Sequence, residues 1–283
     1  MRYGMSYMGS KSKIAKDIIN FLPSGKRLVD LFGGGGAISH CALLSNKYEK
    51  VCYREINSLI CETFKKAMQG FYSHDNFQPK WISAEDFKKN KDVDGYIKIC
   101  WSFGNDGRSY LFSSENEKLK KPIFESVVSG KLNKETRHIL PDFEFKTNTI
   151  TDRRKEICKE IKKNAKIDVK LQRLQSLQSL ESLERLESLE IYCESYKDYV
   201  YQDGDIVYCD PPYEKTRSYE KNGFNHKEFY DWVKSRSFPV YFSSYEISDK
   251  RFSIVWEKQK RSLLDYRVGL GKNKIKTEYI YKN

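Results

Sequence analysis

The sequence predicts an α/β fold whose core is a mainly parallel sheet, interrupted by an inserted and mostly helical module. Three observations carry this prediction. Short apolar strands alternate with helical runs over the first 70 residues, the same pattern returns from about residue 194, and a long basic stretch of weak periodicity lies between them. A chain of 283 residues is long enough to bury such a core without metal or disulfide staples.

In chain order, Ile14, Ile18, Ile19 and Phe21 recur at helical spacing over residues 11–21, behind Ser10 and Ser12 as cap residues. Pro23, Ser24 and Gly25 break that helix, and RLVDLF (27–32) reads as a short apolar strand. Four glycines, Gly33 to Gly36, follow it, and then a helical run from Ala37 to Ser45. A second strand, KVCYREIN, ends near Glu55 and runs into the helical segment LICETFKKAM, which completes a βαβ pattern. Later, GDIVYCD (204–210) is a buried strand stopped abruptly by Pro211 and Pro212. HKEFYDWVKSRS reads as a helix, and PVYFSSYE, RFSIVWEK and KTEYIYKN read as strands.

The stretch from about Phe71 to Cys193 differs in character. Lys88, Lys89, Lys91, Lys118, Lys120, Lys121, Arg153, Arg154, Lys155, Lys162 and Lys163 mostly lack adjacent acids, and together they suit a phosphate-facing surface. Residues 171–190 repeat Leu every third position, a helical composition whose period of three slips roughly 60° per step around a helix of 3.6 residues per turn. A stripe that circles its helix is no heptad zipper, so this segment reads as a spacer or packing helix rather than a dimerisation element.

Composition excludes several classes. Apolar residues make up 39% and aromatic residues 14% of the chain, too many for a disordered protein. No apolar run is long enough to span a bilayer, and the N-terminus has no apolar signal-peptide core, so a soluble, cytoplasmic protein is expected, with no membrane partner. Lys and Arg total 51 against 39 acids, a net charge of +12 that favours a polyanionic partner. Seven cysteines at 41, 52, 61, 100, 158, 193 and 209 include no CxxC pair, which points to reduced, mostly buried thiols and to no metal site.

Three motifs carry chemistry. A glycine turn between a strand and a helix lets a ligand approach backbone amides at a helix N-terminus. Position 38 is Ile, so the GxGxxG dinucleotide fingerprint of a dehydrogenase is not met, and GMSYMGSK places Ser10 between its second glycine and Lys11, which breaks a Walker motif. Glu55, 22 positions after Gly33 near the end of the second strand, stands where an acid takes ribose hydroxyls. A nucleoside-type cofactor without a pyrophosphate clamp, S-adenosylmethionine being the common one, fits this pair. Asp210, Pro211, Pro212 and Tyr213 follow a buried strand, at the sheet end where open α/β sheets bind ligands. The Asp210 carboxylate and the Pro211 carbonyl are two acceptors matched to the two hydrogens of a nucleobase exocyclic amine, and they favour the pyramidal nitrogen that attacks. Tyr213 offers a face on which an extruded base stacks.

These motifs, in this order, resemble the Dam-like DNA adenine-N6 methyltransferases. The resemblance covers residues 3–66 (YGMSYMGSKSKIAKDI, LVDLFGGGGAIS, REIN) and 195–248 (SYKDY, GDIVYCDPPYEKTRSY, FNHKEFYDWV, PVYFSSYEIS). It implies a Rossmann-like methyltransferase core from residues 1–70 and 194–283, with a target-recognition region inserted at 71–193. S-adenosyl-L-methionine is the implied cofactor, double-stranded DNA the substrate, base flipping the route, and N6 of adenine the acceptor. Implied cofactor contacts are Tyr7, Lys11, Asp30, Phe32, Gly33, Gly35, Glu55 and Asp210, and Asp210 with Pro211, Pro212 and Tyr213 forms the implied catalytic set. Two departures from the family pattern stand out: Glu55 replaces a more frequent Asp, and four glycines fill a turn that usually includes a bulkier residue.

Within the inserted region, CWSFGNDGRSYLF (100–112) supplies Asn105, Arg108 and Tyr110 as DNA contacts, since Arg and Asn read guanine and adenine edges. Arg217, with Thr216 and Tyr219 in the loop after the DPPY motif, is expected to close over an extruded base. Cys209 precedes Asp210 rather than a proline and so reads as strand core, not as a covalent nucleophile. The resemblance allows a companion restriction endonuclease and a monomer or weak dimer, in a prokaryotic or phage-infected cell. An RNA base-amine methyltransferase and a non-catalytic DNA-binding protein of the same fold are the alternatives.

Overall fold

The computed structural model describes residues 3–73, 76–165, 186–214, 223–261 and 275–283. Its helices are α1 (Ala15–Phe21), α2 (Ala37–Ser45), α3 (Ser58–Met68), α4 (Ala84–Asn90), α5 (Gly95–Cys100), α6 (Ser114–Ser129), α7 (Lys134–Ile139), α8 (Ile150–Ala165) and α9 (His226–Lys234). Its strands are β1 (Gly25–Asp30), β2 (Tyr48–Arg54), β3 (Leu189–Tyr192), β4 (Asp205–Cys209), β5 (Val240–Ser244), β6 (Ser253–Arg261) and β7 (Ile275–Lys282). The chain divides into two compact units, one of Met1–Lys13, Gly34–His40 and Asn57–Leu186, the other of Ile14–Gly33, Cys41–Ile56 and Glu187–Asn283.

The second unit holds a seven-stranded sheet of order β3-β2-β1-β4-β5-β7-β6. β3, β2, β1, β4 and β5 run parallel, and β7 adds antiparallel to both β5 and β6. This is the mainly parallel α/β sheet that the strand and helix alternation predicts. One face, with Val29, Cys52, Val207, Cys209, Val240, Phe242 and Tyr281, buries itself against Phe229, Tyr230 and Val233 of α9. The Asn225 side chain starts α9 by accepting from Glu228 N at 3.0 Å. At the far end of α1, Lys47 Nζ donates to the carbonyls of Ile19 and Leu22, which would otherwise lack intrahelical donors.

Strand bounds shift from the sequence reading where turns begin early. β1 ends at Asp30 rather than at Phe32. Residues 166–185, most of the predicted Leu-repeat helix 171–190, lie outside the described residues. The end of that repeat is not α-helical: Leu186–Ser188 is a 3-10 turn, and Leu189 opens β3. There Glu190 pairs in register with Cys52 and takes Arg27 Nη1 at 2.8 Å, so tertiary pairing overrides local helix propensity. Cys41, Cys52, Cys100, Cys158 and Cys209 are in no disulfide, whereas Cys61 and Cys193 are disulfide-bonded, a departure from the expectation of reduced, mostly buried thiols.

The first unit gathers α3 to α8 around aromatic residues. Trp101 is fully buried, donates its indole N–H to Tyr96 Oη at 3.1 Å, and meets Trp81 edge-on at 5.1 Å. Trp81 in turn stacks on Phe112 at 5.5 Å. α6 closes on Gly130 in the left-handed conformation.

A buried ion network ties three parallel strands at their N-terminal side. Arg27 of β1 grips Asp205 of β4 through two bonds, Nε to Oδ1 at 2.9 Å and Nη2 to Oδ2 at 2.8 Å. Tyr199 Oη and Gln202 N also donate to Asp205, at 2.6 and 3.0 Å. Burial raises the Asp205 carboxyl pKa, but the bonds from Arg27 and Tyr199 outweigh that and hold it below the usual carboxylate range. Asp205→Ala leaves the Arg27 guanidinium buried without its main partner and is expected to cost about 3–5 kcal/mol of unfolding free energy, read by urea denaturation against the wild-type chain.

Candidate active site

In an open parallel sheet the ligand crevice lies beyond the carboxyl ends of the strands, where the strand order reverses. Here the chain steps outward from β1 to β2 and β3 on one side, and to β4 and β5 on the other. β1 and β4 are adjacent, with Asp30 in register with Tyr208 and Leu31 N donating to Tyr208 O at 3.0 Å. The residues after β1 therefore emerge beside those after β4. On the other flank, Gly33 N donates to Arg54 O at 2.7 Å, and Glu55 N donates to Tyr192 O at 3.1 Å. Asp30, Phe32, Gly33, Glu55 and Asp210, expected as site residues, are thus brought to one edge of the sheet.

Gly33 is needed there for space. A Cβ at this position would sit 2.2 Å from the ring of Tyr53, so Tyr53 occupies the room that the glycine leaves. Phe32 stacks on Tyr196 at 5.1 Å and meets Phe229 edge-on at 5.5 Å. Tyr196 belongs to the SYKDY segment, a 3-10 turn closed by a capping box between Ser195 and Asp198. Arg54, the neighbour of Glu55, turns to Glu194 at 2.7 Å and lies 4.5 Å over the ring of Tyr192.

The DPPY tetrapeptide is held from several sides. Tyr213 Oη donates to Asp210 Oδ1 at 3.0 Å and also contacts Glu278 Oε1. His226, the first residue of α9, donates Nε2–H to the carbonyl of Pro212 at 2.9 Å. None of the described residues donates to the carbonyl of Pro211. Tyr213 is 9% exposed and packs edge-on against Tyr245 at 4.9 Å, so the ring face expected to stack with a base is covered here. Burial first, and then the negative charge of Asp210, push its hydroxyl pKa well above the usual phenol range, so it keeps its proton. Cys209 is fully buried strand core, its thiol pKa pushed up by burial.

The remaining expected cofactor contacts, Tyr7, Lys11 and Gly35, belong to the first unit. Met5 N donates to Gly35 O at 2.6 Å, and a Cβ at Gly35 would lie 2.7 Å from that of Tyr7, so the N-terminal segment is packed directly on the glycine turn. Lys11 is buried, with Nζ 3.5 Å from Gly9 O.

The loop expected to recognise DNA separates its expected contacts. Asn105, with φ +56°, spends its amide on Ile99 O at 2.8 Å. Tyr110 Oη donates to Ile82 O at 2.6 Å. Both shape the loop, while Arg108 is exposed. Phe103, not singled out by sequence, is 56% exposed beside Gly104. Arg217, Thr216 and Tyr219 lie outside the described residues.

His40 is a second residue that the sequence reading missed. It is 2% exposed, and its Nδ1 accepts from Gly4 N at 2.9 Å, which pins the N-terminal segment to the first turn of α2. That bond needs neutral imidazole, and burial lowers its pKa from 6.5 to about 4. Between those two values the unfolded chain binds the extra proton, so the contribution is complete above pH 6.5 and is lost as pH falls toward 4. The wild-type chain should lose about 3 kcal/mol more than a His40→Gln chain between pH 7 and pH 4, measured by urea unfolding at each pH.

The chain is similar to known adenine methylases. A Retron Ec67 DNA adenine methylase of Escherichia coli is 24% identical over 98% of this chain and 89% of its own length. The model of the D12 class N6 adenine-specific DNA methyltransferases matches residues 7–261, and this chain belongs to that family of enzymes, which methylate adenine in DNA.

Proposed function

We propose that the sheet edge formed by Asp30, Phe32, Gly33, Glu55 and Asp210 binds S-adenosyl-L-methionine and presents Asp210 to the N6 amine of an adenine turned out of duplex DNA. The pairing of β1 with β4 is the observation that carries this reading, because it sets the glycine turn and the DPPY motif side by side. The donor set fits the cofactor. A carboxylate at the end of β2 suits a ribose diol, and the half-buried Phe32 backed by Tyr196 offers an apolar wall for a purine. Tyr7, Lys11 and Gly35 are proposed as further cofactor contacts.

When bound, the cofactor supplies an electrophilic methyl group. The chain supplies acceptors. Asp210 and the Pro211 carbonyl take the two amine hydrogens, drawing the nitrogen lone pair out of the ring and toward the methyl group. Tyr213 holds the Asp210 carboxylate in position, and the Pro212 carbonyl, engaged by His226, is not part of the acceptor pair.

Residues 71–193 are proposed as the target-recognition region. Arg108 is its base or phosphate contact, Arg217 in the loop after the DPPY motif is a further DNA contact outside it, and Asn105 and Tyr110 keep the 100–112 loop in shape. The net charge of +12 supports sequence-independent attraction to the duplex.

Incubation with labelled S-adenosylmethionine and duplex DNA, followed by mapping of modified bases, should find label on adenine N6. Asp210→Ala should lower turnover at least 100-fold, a loss of about 2.7 kcal/mol or more of transition-state stabilisation, while gel-shift affinity for the duplex stays within a few-fold. Label on RNA alone, or none with duplex binding retained, would contradict the reading. Glu55→Ala should weaken S-adenosylmethionine binding about tenfold in titration calorimetry, and an unchanged isotherm would remove Glu55 from the site.

A further inference from the structure

We propose that Glu278, on the antiparallel strand β7, is a positioning residue that acts through the Tyr213 hydroxyl to fix the Asp210 carboxylate. The inference rests on Asp210 being the acid that receives the target amine. Glu278 is fully buried, and its Oε1 meets the same hydroxyl that donates to Asp210 Oδ1. Ser244, the last residue of β5, pairs with Tyr279, so the neighbouring Glu278 enters at the carboxyl end of the parallel strands.

A phenol carries one hydrogen and two lone pairs. Placed between two acid oxygens, it can direct its hydrogen at only one of them, and the other bond is made when that second acid brings a proton of its own. Burial favours the neutral form of a carboxyl, and Glu278 is the more deeply buried of the two acids. With Glu278 donating to Tyr213 Oη, the tyrosine hydrogen turns to Asp210 Oδ1, and the carboxylate is held in one rotation with its charge intact. Tyr208 of β4 is fully buried, with its Oη 2.6 Å from Ser243 Oγ of β5. β7 thereby contributes to catalysis without touching substrate, a part that neither the glycine turn nor the DPPY motif announces.

The test uses the full chain and four variants: Glu278→Gln, Glu278→Leu, Tyr213→Phe and the Glu278→Leu/Tyr213→Phe double. Glutamine can still donate to the Tyr213 oxygen, so its kcat should stay within threefold of wild type. Leucine and the phenylalanine variant should each lose about tenfold in kcat with KM for S-adenosylmethionine and DNA unchanged, and the double should be no slower than the slower single. Wild-type kcat in Tyr213→Phe or in Glu278→Leu, losses that multiply in the double, or a glutamine variant as slow as the leucine one would each overturn the proposal. Tyr213→Phe cuts the link from the other side and decides the matter even where Glu278→Leu does not fold. An active wild type with independent losses refutes Glu278 alone, whereas a wild type that transfers no methyl group to adenine refutes the reading of Asp210 as well.

Discussion

The site depends on one pairing, the parallel ladder between β1 and β4. Its register fixes where each strand ends, so that Asp30 and Tyr208 stand side by side and the two following turns leave the sheet at the same edge. Backbone hydrogen bonds alone hold a ladder weakly against slippage when both faces are apolar, and a slip of one residue would reverse every side chain. The Arg27–Asp205 fork resists such a slip because its two bonds form at one register only. Stability at the N-terminal side of the sheet and geometry at the carboxyl end are therefore two consequences of the same constraint.

The glycine turn serves the protein before it serves a ligand. Tyr53 fills the space left at Gly33, and the N-terminal segment fills the space left at Gly35. A bulkier residue at Gly33 would displace the Tyr53 ring, and one at Gly35 would meet the backbone of Met5. Gly33 and Gly35 in this four-glycine turn thus have local neighbours that need the space, and the chain compensates a loose sequence with tight packing.

The fold was legible because its signals are local. Strand and helix alternation, the glycine turn and the abrupt stop at Pro211 can all be read within a few residues, and they locate β1, α2, β2 and β4 to within two or three positions. Sheet order is not local. Nothing in KTEYIYKN says that it lies between β5 and β6, and so Glu278 stayed hidden although it lies beside the motif that sequence finds most easily. His40 was illegible for a related reason: a lone histidine in an apolar helix reads as core until its partner 36 residues away is known. In the loop expected to read DNA, residue type suggested three base-reading side chains, but two of them donate to backbone carbonyls outside the loop, Asn105 to Ile99 and Tyr110 to Ile82, because such carbonyls need donors.

On the proposed reading, burial around the DPPY motif prepares the chain to meet a weak nucleophile. Each proline removes a backbone donor and restricts φ, which narrows the tetrapeptide before any contact is made. His226 then holds the second carbonyl, the Tyr213 hydroxyl holds the acid, and Glu278 holds the hydroxyl. Polar groups oriented in this way before substrate arrives need no reorganisation when charge develops, and in a buried setting each is worth more than it would be in water. Partners that reach from β7 to the Asp210 carboxylate and from α9 to the neighbouring Pro212 carbonyl are what such preorganisation requires. The acid is set by its position at the end of β4, and its direction is set by residues that come from elsewhere in the sheet.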